Sequence, residues 1–387
     1  MERTGNPPFA ASRGQVAPVT LAARQLATTG ATTGAVNGAG LGAARVGTAG
    51  AGAPRTVLSR ATPPQATGPR VFMREEWPIV AESWDEDKGS LPASEFPRSW
   101  LADAPMLTIY GRAFGVAPIL GRLGFDNSFS DLDTQIQPFV QGITSVDQGI
   151  QPTVALHLIY ALATPCSPGS NCLYYLDDAG ADIVNAYIKP AAARGQLVVL
   201  DDQLSESNPV AEVQRLIAKG YLQYDNVEIA LDPEFRAVPG QDTPGIPVGT
   251  VTAEEINAAG AIVNAYCAHR HMPHRKVLMV HQFQFGMITD RTKLRNDYPY
   301  VDVVVVADGF GTPDTKASVY QALFGPGSPS GPIWRGIKLF YPNPLEQAGH
   351  FDDPLMTWRQ VFGQDSANDG NGNTYRVRPV PNIIIIA

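Results

Sequence analysis

The sequence is short of charge. Of its 387 residues only 17% are Asp, Glu, Lys or Arg, against about a quarter in an average soluble domain. No cluster of five or more Lys and Arg occurs, and the formal net charge is −8. Binding a phosphate backbone takes a concentrated basic surface, so nucleic acid is disfavoured as a partner. An anionic membrane surface is disfavoured for the same reason. No apolar run reaches the roughly 18 residues of a membrane-spanning helix, so no transmembrane segment is expected. No secretory leader is evident at the given start either. The stretch 16–26 (VAPVTLAARQL) is too polar for an apolar leader core. Low charge with abundant Gly, Pro, Ala and Thr is nonetheless a composition common in exported bacterial proteins, which points to a secreted or cell-envelope location.

Cysteine is scarce as well, with three in the chain. Cys166 and Cys172 flank Ser-Pro-Gly-Ser-Asn. Such turn formers allow a small disulfide ring, which would mean an oxidising compartment; two free thiols in a loop is the other reading. No second cysteine pair or nearby histidine completes a tetrahedral metal set here. Cys267 lies in a helical pattern and reads as a small buried hydrophobe.

Residues 1–70 are low-complexity and nearly free of aromatics. They cannot bury enough apolar surface to offset their ordering entropy, so a disordered tail or linker is expected. Residues 71–101 carry Phe72, Trp77, Trp84, Phe96 and Trp100 and read as a lead-in packed on the main domain, 102–387. There the chain alternates. Strand-like apolar runs occur at 106–110, 153–160, 197–200, 227–231, 276–280, 301–307, 336–341 and 383–386. Helical patterns separate them. Asn208-Pro209 is a cap followed by proline at the first helical position, and Thr252-Ala-Glu-Glu255 is a capping box. Short apolar strands alternating with helices imply parallel pairing with right-handed crossovers. Eight of them in this length fit a (β/α)8 TIM-like barrel, incomplete at its last unit, where the lead-in covers the missing helix. The alternative is an open doubly wound sheet. It lacks its fingerprint, because Gly111-Arg-Ala-Phe-Gly115 is not G-x-G-x-x-G, and no cofactor is expected.

In a barrel of this kind, chemistry sits where the strands end. The residues closing them are Arg112, His157, Asp201 with Asp202, Asp232 with Glu234, His281 with Gln282, Asp308, and Lys338 with Tyr341. Strand four reads Val227-Glu-Ile-Ala-Leu-Asp-Pro-Glu234. Side chains alternate faces with period two. Val227, Ile229 and Leu231 therefore face the helices, and Glu228, Ala230, Asp232 and Glu234 point inward. Two crowded carboxylates cannot both ionise freely, so one pKa rises, which suits a general acid. Lys338 should also point inward and needs a carboxylate, Asp232 or Asp308.

An Asp-x-Glu at the end of barrel strand four resembles the chitinase-type glycosidases. The resemblance implies that Glu234 protonates the leaving glycosidic oxygen and Asp232 orients the substrate's acetamido group. It covers three residues and the fold. Ala230 stands where the family has a further Asp, and Pro233 departs from it too. Muramidase barrels carry an Asp-x-Glu as well. A carbohydrate or cell-wall glycan is thus the expected partner, with Asp202, His281, Gln282, Asp308, Lys338, Tyr341, Arg112 and His157 as candidate substrate contacts. Trp334 and Tyr341 could stack on sugar rings. The competing readings are a non-catalytic surface protein on the same scaffold and a metal-dependent hydrolase using His157, Asp232 and His281. The second lacks the H-x-H of strand one, so no metal is expected. Residues 365–373 (DSANDGNGN) are similar to a calcium loop, but Ala367 breaks the ligand pattern.

Overall fold

The computed structural model describes residues 93–115, 121–165, 171–326, 333–342 and 350–387. The expected tail and most of the lead-in lie outside these residues. Eight strands form the barrel: β1 (Met106–Gly111), β2 (Thr153–Ala163), β3 (Leu197–Asp202), β4 (Val227–Leu231), β5 (Lys276–Gln282), β6 (Val301–Ala307), β7 (Trp334–Leu339) and β8 (Ile383–Ile386). Each pairs in parallel with its neighbours in sequence, and β8 pairs with both β7 and β1, which closes the ring. The TIM-like barrel is therefore the architecture, and the open sheet is excluded. A short strand, Leu173–Tyr175, adds antiparallel to the end of β2.

The helices between strands are α1 (Phe129–Val146), α2 (Lys189–Ala192) behind a π turn at Val184–Ile188, α3 (Pro209–Ala218), α4 (Ala253–Arg270), α5 (Pro313–Phe324) and α6 (Trp358–Val361). Local chemistry sets their starts. The Asn208 side chain accepts from Ala211 N at 3.0 Å at the head of α3, and Thr252 and Glu255 form the reciprocal capping box of α4. Between β5 and β6 the regular alternation fails. Two 3-10 turns, Phe285–Met287 and Arg291–Lys293, replace a helix there.

Leu107, Ile109, Val198, Leu200, Val227, Ile229, Leu231, Val303 and Val305 pack outward in the layer shared with the helices. The inward set is Met106, Tyr110, Ala155, Ile159, Val199, Ala230, Val277, Met279, Val304, Val306, Ile383 and Ile385. Leu101 and Trp100 pack against this inner set. The Trp100 ring stacks on His274 with centroids 3.8 Å apart, and the backbones of Arg98 and His274 pair in an isolated parallel β-bridge. His274 stands just before β5, so the described end of the lead-in closes the base of the barrel and does not stand in for a helix after β8. Trp334 is also at the base, where its Nε1 donates to Asp302 at 2.9 Å. Arg275 pairs with the same carboxylate at 2.9 Å. This tryptophan is thus at the opposite end from any sugar-stacking position.

Cys172 is disulfide-bonded; Cys166, the partner expected from the spacing, lies outside the described residues. Cys267 is free and buried. In the loop similar to a calcium site, Asp369 accepts from Asn371 N at 2.8 Å and from the Asn373 side chain at 2.7 Å. Its carboxylate closes the turn upon itself.

Gly336 leaves the room that inward packing of β6 requires. A Cβ at this position would meet Val306 Cγ2 at 2.8 Å. Gly336→Ala is expected to lower stability by about 1–3 kcal/mol through overpacking. An unchanged denaturant midpoint would show that the barrel interior yields at this level.

Candidate functional site

The C-terminal end of the barrel gathers one inward side chain from each of seven strands or their first following residue: Tyr110, His157, Asp201, Asp232, His281, Asp308 and Lys338. All seven are buried. All but Asp232 form a connected network. His157 Nε2 donates to Asp201 Oδ2 at 2.8 Å, and its Nδ1 accepts from the Thr108 hydroxyl at 3.3 Å. Burial holds this histidine down to about 4, so the ring is neutral near pH 7. His281 Nδ1 donates to Asp308 Oδ2 at 2.7 Å, and its Nε2 lies 3.2 Å from Asp201 Oδ2. Burial and the Lys338 charge oppose a proton on His281. Its contacts with Asp201 and Asp308 outweigh both and push it up to about 10. Lys338 Nζ pairs with Asp308 Oδ2 at 3.1 Å and sits 3.9 Å from the centre of the Tyr110 ring, a cation–π contact. Despite burial, Lys338 and His281 hold Asp308 well below the usual carboxylate range. Asp201 is held low by His157 and His281, again against burial.

Two carboxyls beside this network behave differently. β4 ends at Leu231, and Pro233–Phe235 forms a 3-10 turn capped by Asp232, whose Oδ1 accepts from Glu234 N at 3.3 Å. Strand alternation therefore carries Asp232 inward but does not reach Glu234, which the turn brings to the mouth half-buried. Burial raises Asp232 to about 6; Asp201 and Asp308 push the same way, His281 and Lys338 against it. Burial, then Asp232 and Asp308, raise Glu234 to about 8. At pH 7 Asp232 is mostly ionised and Glu234 mostly protonated. The neighbours explain the split: after burial, the largest influence on Asp232 is the lowering one of His281, whereas on Glu234 the raising ones of Asp232 and Asp308 come first.

Several sequence-based candidates lie elsewhere. Asp202 faces outward beneath α3, because the inward members of β3 are Leu197, Val199 and Asp201. Burial, with Glu212 next in effect, raises it well above the carboxylate range. Gln282 also turns away from the interior and donates to the carbonyls of Gln284 and Phe285 at 3.0 and 3.2 Å, pinning the turn after β5. Arg112 clamps the end of β2 through the Ile159 carbonyl at 2.7 Å and the Tyr174 carbonyl at 3.1 Å. Tyr341 packs on Phe139 with ring centres 5.1 Å apart. Gly309, after Asp308, takes a left-handed φ of +87°, and Asp308 is a network member. Tyr110 and Thr108 are members that the strand ends do not reveal; of Asp201 and Asp202, which close β3 together, the inward one is Asp201 and not the expected substrate contact Asp202.

Two sets of metal-capable donors occur among the described residues, His157/Asp201/His281 and Asp232/His281/Asp308, each with one donor atom per residue within 4.8 Å of the others. A separate cleft of about 420 Å³ lies at the base, lined by Leu101, Pro105, Val146, Phe362 and Arg378 among others. It is remote from this chemistry.

Lys338→Met leaves Asp308 with one cation where it has two. Breaking a buried ion pair from one side costs about 3–5 kcal/mol, so unfolding midpoints should fall accordingly, with partial recovery in Lys338→Met/Asp308→Asn. A loss below about 1 kcal/mol would show the pair to be incidental to stability. Set against protein-family models, curated proteins and solved structures, the chain matches none of them.

Proposed function

We propose that this barrel is a glycan-directed hydrolase in which Glu234 is the general acid and Asp232 the orienting carboxylate. One observation carries the reading: neighbouring carboxyls at the mouth are held in opposite protonation states near neutrality, Glu234 at about 8 and Asp232 at about 6. Such a split separates the roles of a proton donor and an anion. Glu234 is also the more accessible of the two, as a group meeting a glycosidic oxygen must be.

In the mechanism that the chitinase-type resemblance implies, the Glu234 proton passes to the leaving oxygen as the C–O bond breaks. The substrate's acetamido oxygen, oriented by Asp232, closes on the anomeric carbon. Water then opens that intermediate with Glu234, now a carboxylate, accepting its proton. Tyr174, Phe285 and Phe310 are exposed on the segments following β2, β5 and β6, and offer aromatic faces for sugar rings. The disulfide at Cys172 supports a secreted or envelope setting, hence a cell-wall glycan as substrate.

A second reading, a non-catalytic glycan-binding scaffold, is favoured by the complete burial of His157, Asp201 and His281, which keeps these three from touching a substrate. Turnover separates the two. Release of reducing ends from N-acetylated oligosaccharides and peptidoglycan fragments should fall about 10²–10⁴-fold in Glu234→Gln while the circular dichroism spectrum is unchanged. The rate should rise as Asp232 ionises near pH 6 and decline as Glu234 loses its proton near pH 8. Binding without turnover would favour the scaffold. Turnover indifferent to Glu234→Gln would remove Glu234 as the acid.

A further inference from the structure

We propose that His157, Asp201 and His281 form a binding site for one divalent first-row transition metal ion, coordinated through the two Nε2 atoms and Asp201 Oδ2.

The argument begins with spacing. Metal bonds of about 2.0–2.2 Å at angles of about 90–110° place adjacent donor atoms about 2.8–3.6 Å apart. Asp201 Oδ2 lies 2.8 Å from His157 Nε2 and 3.2 Å from His281 Nε2. The three donors come from the ends of adjacent or nearby strands β2, β3 and β5, a rigid frame of the kind a fixed coordination geometry requires.

The outer nitrogens give a second line of support. A metal-bound histidine usually gives its other ring nitrogen to a hydrogen-bonding partner, which fixes the ring. Both rings are held in this way: His157 Nδ1 by Thr108 Oγ1 at 3.3 Å and His281 Nδ1 by Asp308 Oδ2 at 2.7 Å. Both Nε2 atoms are thereby turned onto one carboxylate oxygen.

The third observation is independent of the spacing. His281 Nε2 and Asp201 Oδ1 are buried without a hydrogen-bond partner, and both residues are fully buried. The 3.2 Å approach of His281 Nε2 to Asp201 is close but not directed as a hydrogen bond. The nitrogen thus has an ion-pair contact but no directed hydrogen bond, and a cation seated between the three donors, taking the place of the His281 proton, would give it a directed bond. Charge agrees. With a dication bound and the His281 proton released to solvent, both imidazoles are neutral and the anions Asp201, Asp232 and Asp308 are balanced by the metal and Lys338.

The overlapping set Asp232/His281/Asp308 is the weaker site, because Asp308 is already committed. Its Oδ2 meets Lys338 and His281, and its Oδ1 accepts from Gly309 N at 2.6 Å. Two imidazoles and one carboxylate suit Zn²⁺, Fe²⁺, Co²⁺ or Mn²⁺ better than Mg²⁺ or Ca²⁺, which prefer all-oxygen shells.

The test uses the full chain, stripped with chelator and titrated with Co²⁺ and Zn²⁺. The expected results are uptake of one equivalent, visible Co²⁺ absorption bands and a raised melting temperature. His157→Gln and His281→Gln should abolish uptake. Thr108→Val keeps all three donors and should weaken binding about 10–100-fold by releasing the His157 ring. If stripped, folded protein takes up no metal, or folded His→Gln variants bind as tightly as wild type, the site is refuted. Should the histidine variants fail to fold, unchanged affinity in Thr108→Val refutes it equally. Metal uptake is read without any glycan, so this result stands apart from the fate of the hydrolase reading.

Discussion

The structure turns on the position of His281 between two buried carboxylates. Its Nδ1 contacts Asp308 and its Nε2 faces Asp201, so one side chain on β5 ties β3 to the end of β6. Lys338 extends the link to β7, and His157 with Thr108 extends it to β2 and β1. A continuous polar layer therefore crosses the top of an otherwise apolar barrel. Without a cation at its centre, Asp201 and Asp308 would be like charges in a poorly solvated interior, where repulsion is scarcely screened. The layer also sets the properties of the two carboxyls beside it. By bonding Lys338 to Asp308 it withholds a direct counter-charge from Asp232 and Glu234, and burial then raises both.

The barrel was legible in the chain because parallel strands buried on both faces read as continuous apolar runs, and all eight lie where those runs occur. Caps at Asn208 and Thr252 were legible because they are local. The missing helix between β5 and β6 was not, since nothing in the composition of residues 283–300 separates a 3-10 turn from a short helix. The site was legible in part. At β4, Glu228 marks the inward face against Val227, Ile229 and Leu231, which fixed Asp232 correctly. At β3, Leu197 and Val199 are as apolar as Val198 and Leu200, so periodicity alone could not choose between Asp201 and Asp202. Only the register to β2 and β4 decides it. Glu234 reached the mouth for a reason other than alternation, because Pro233 ends the strand geometry and opens a turn.

Asp202 illustrates the other side of the same sheet. It is buried, both of its oxygens lack hydrogen-bond partners, and Glu212 lies close enough to raise its pKa further. Glu212 itself is engaged by Tyr175 at 3.0 Å and by Ser207. Adjacent residues of one strand thus shift in opposite directions, Asp201 held low among histidines and Asp202 pushed up under a helix. Pairing makes the difference, since both are equally removed from water.

β8 contributes Ile383, Ile384, Ile385 and Ile386, with Ala387 following. Its inward members at the mouth end are Ile385 and Ala387, beside Tyr110 of β1. The ring of ionisable groups consequently spans β2 to β7 and is interrupted by a hydrocarbon sector at β8. The top layer of the barrel is thus polar along one arc and apolar along the rest. The charges therefore balance one another along that arc alone, and the hydrocarbon of β8 is the one sector of the ring that takes no part in holding the layer together by charge.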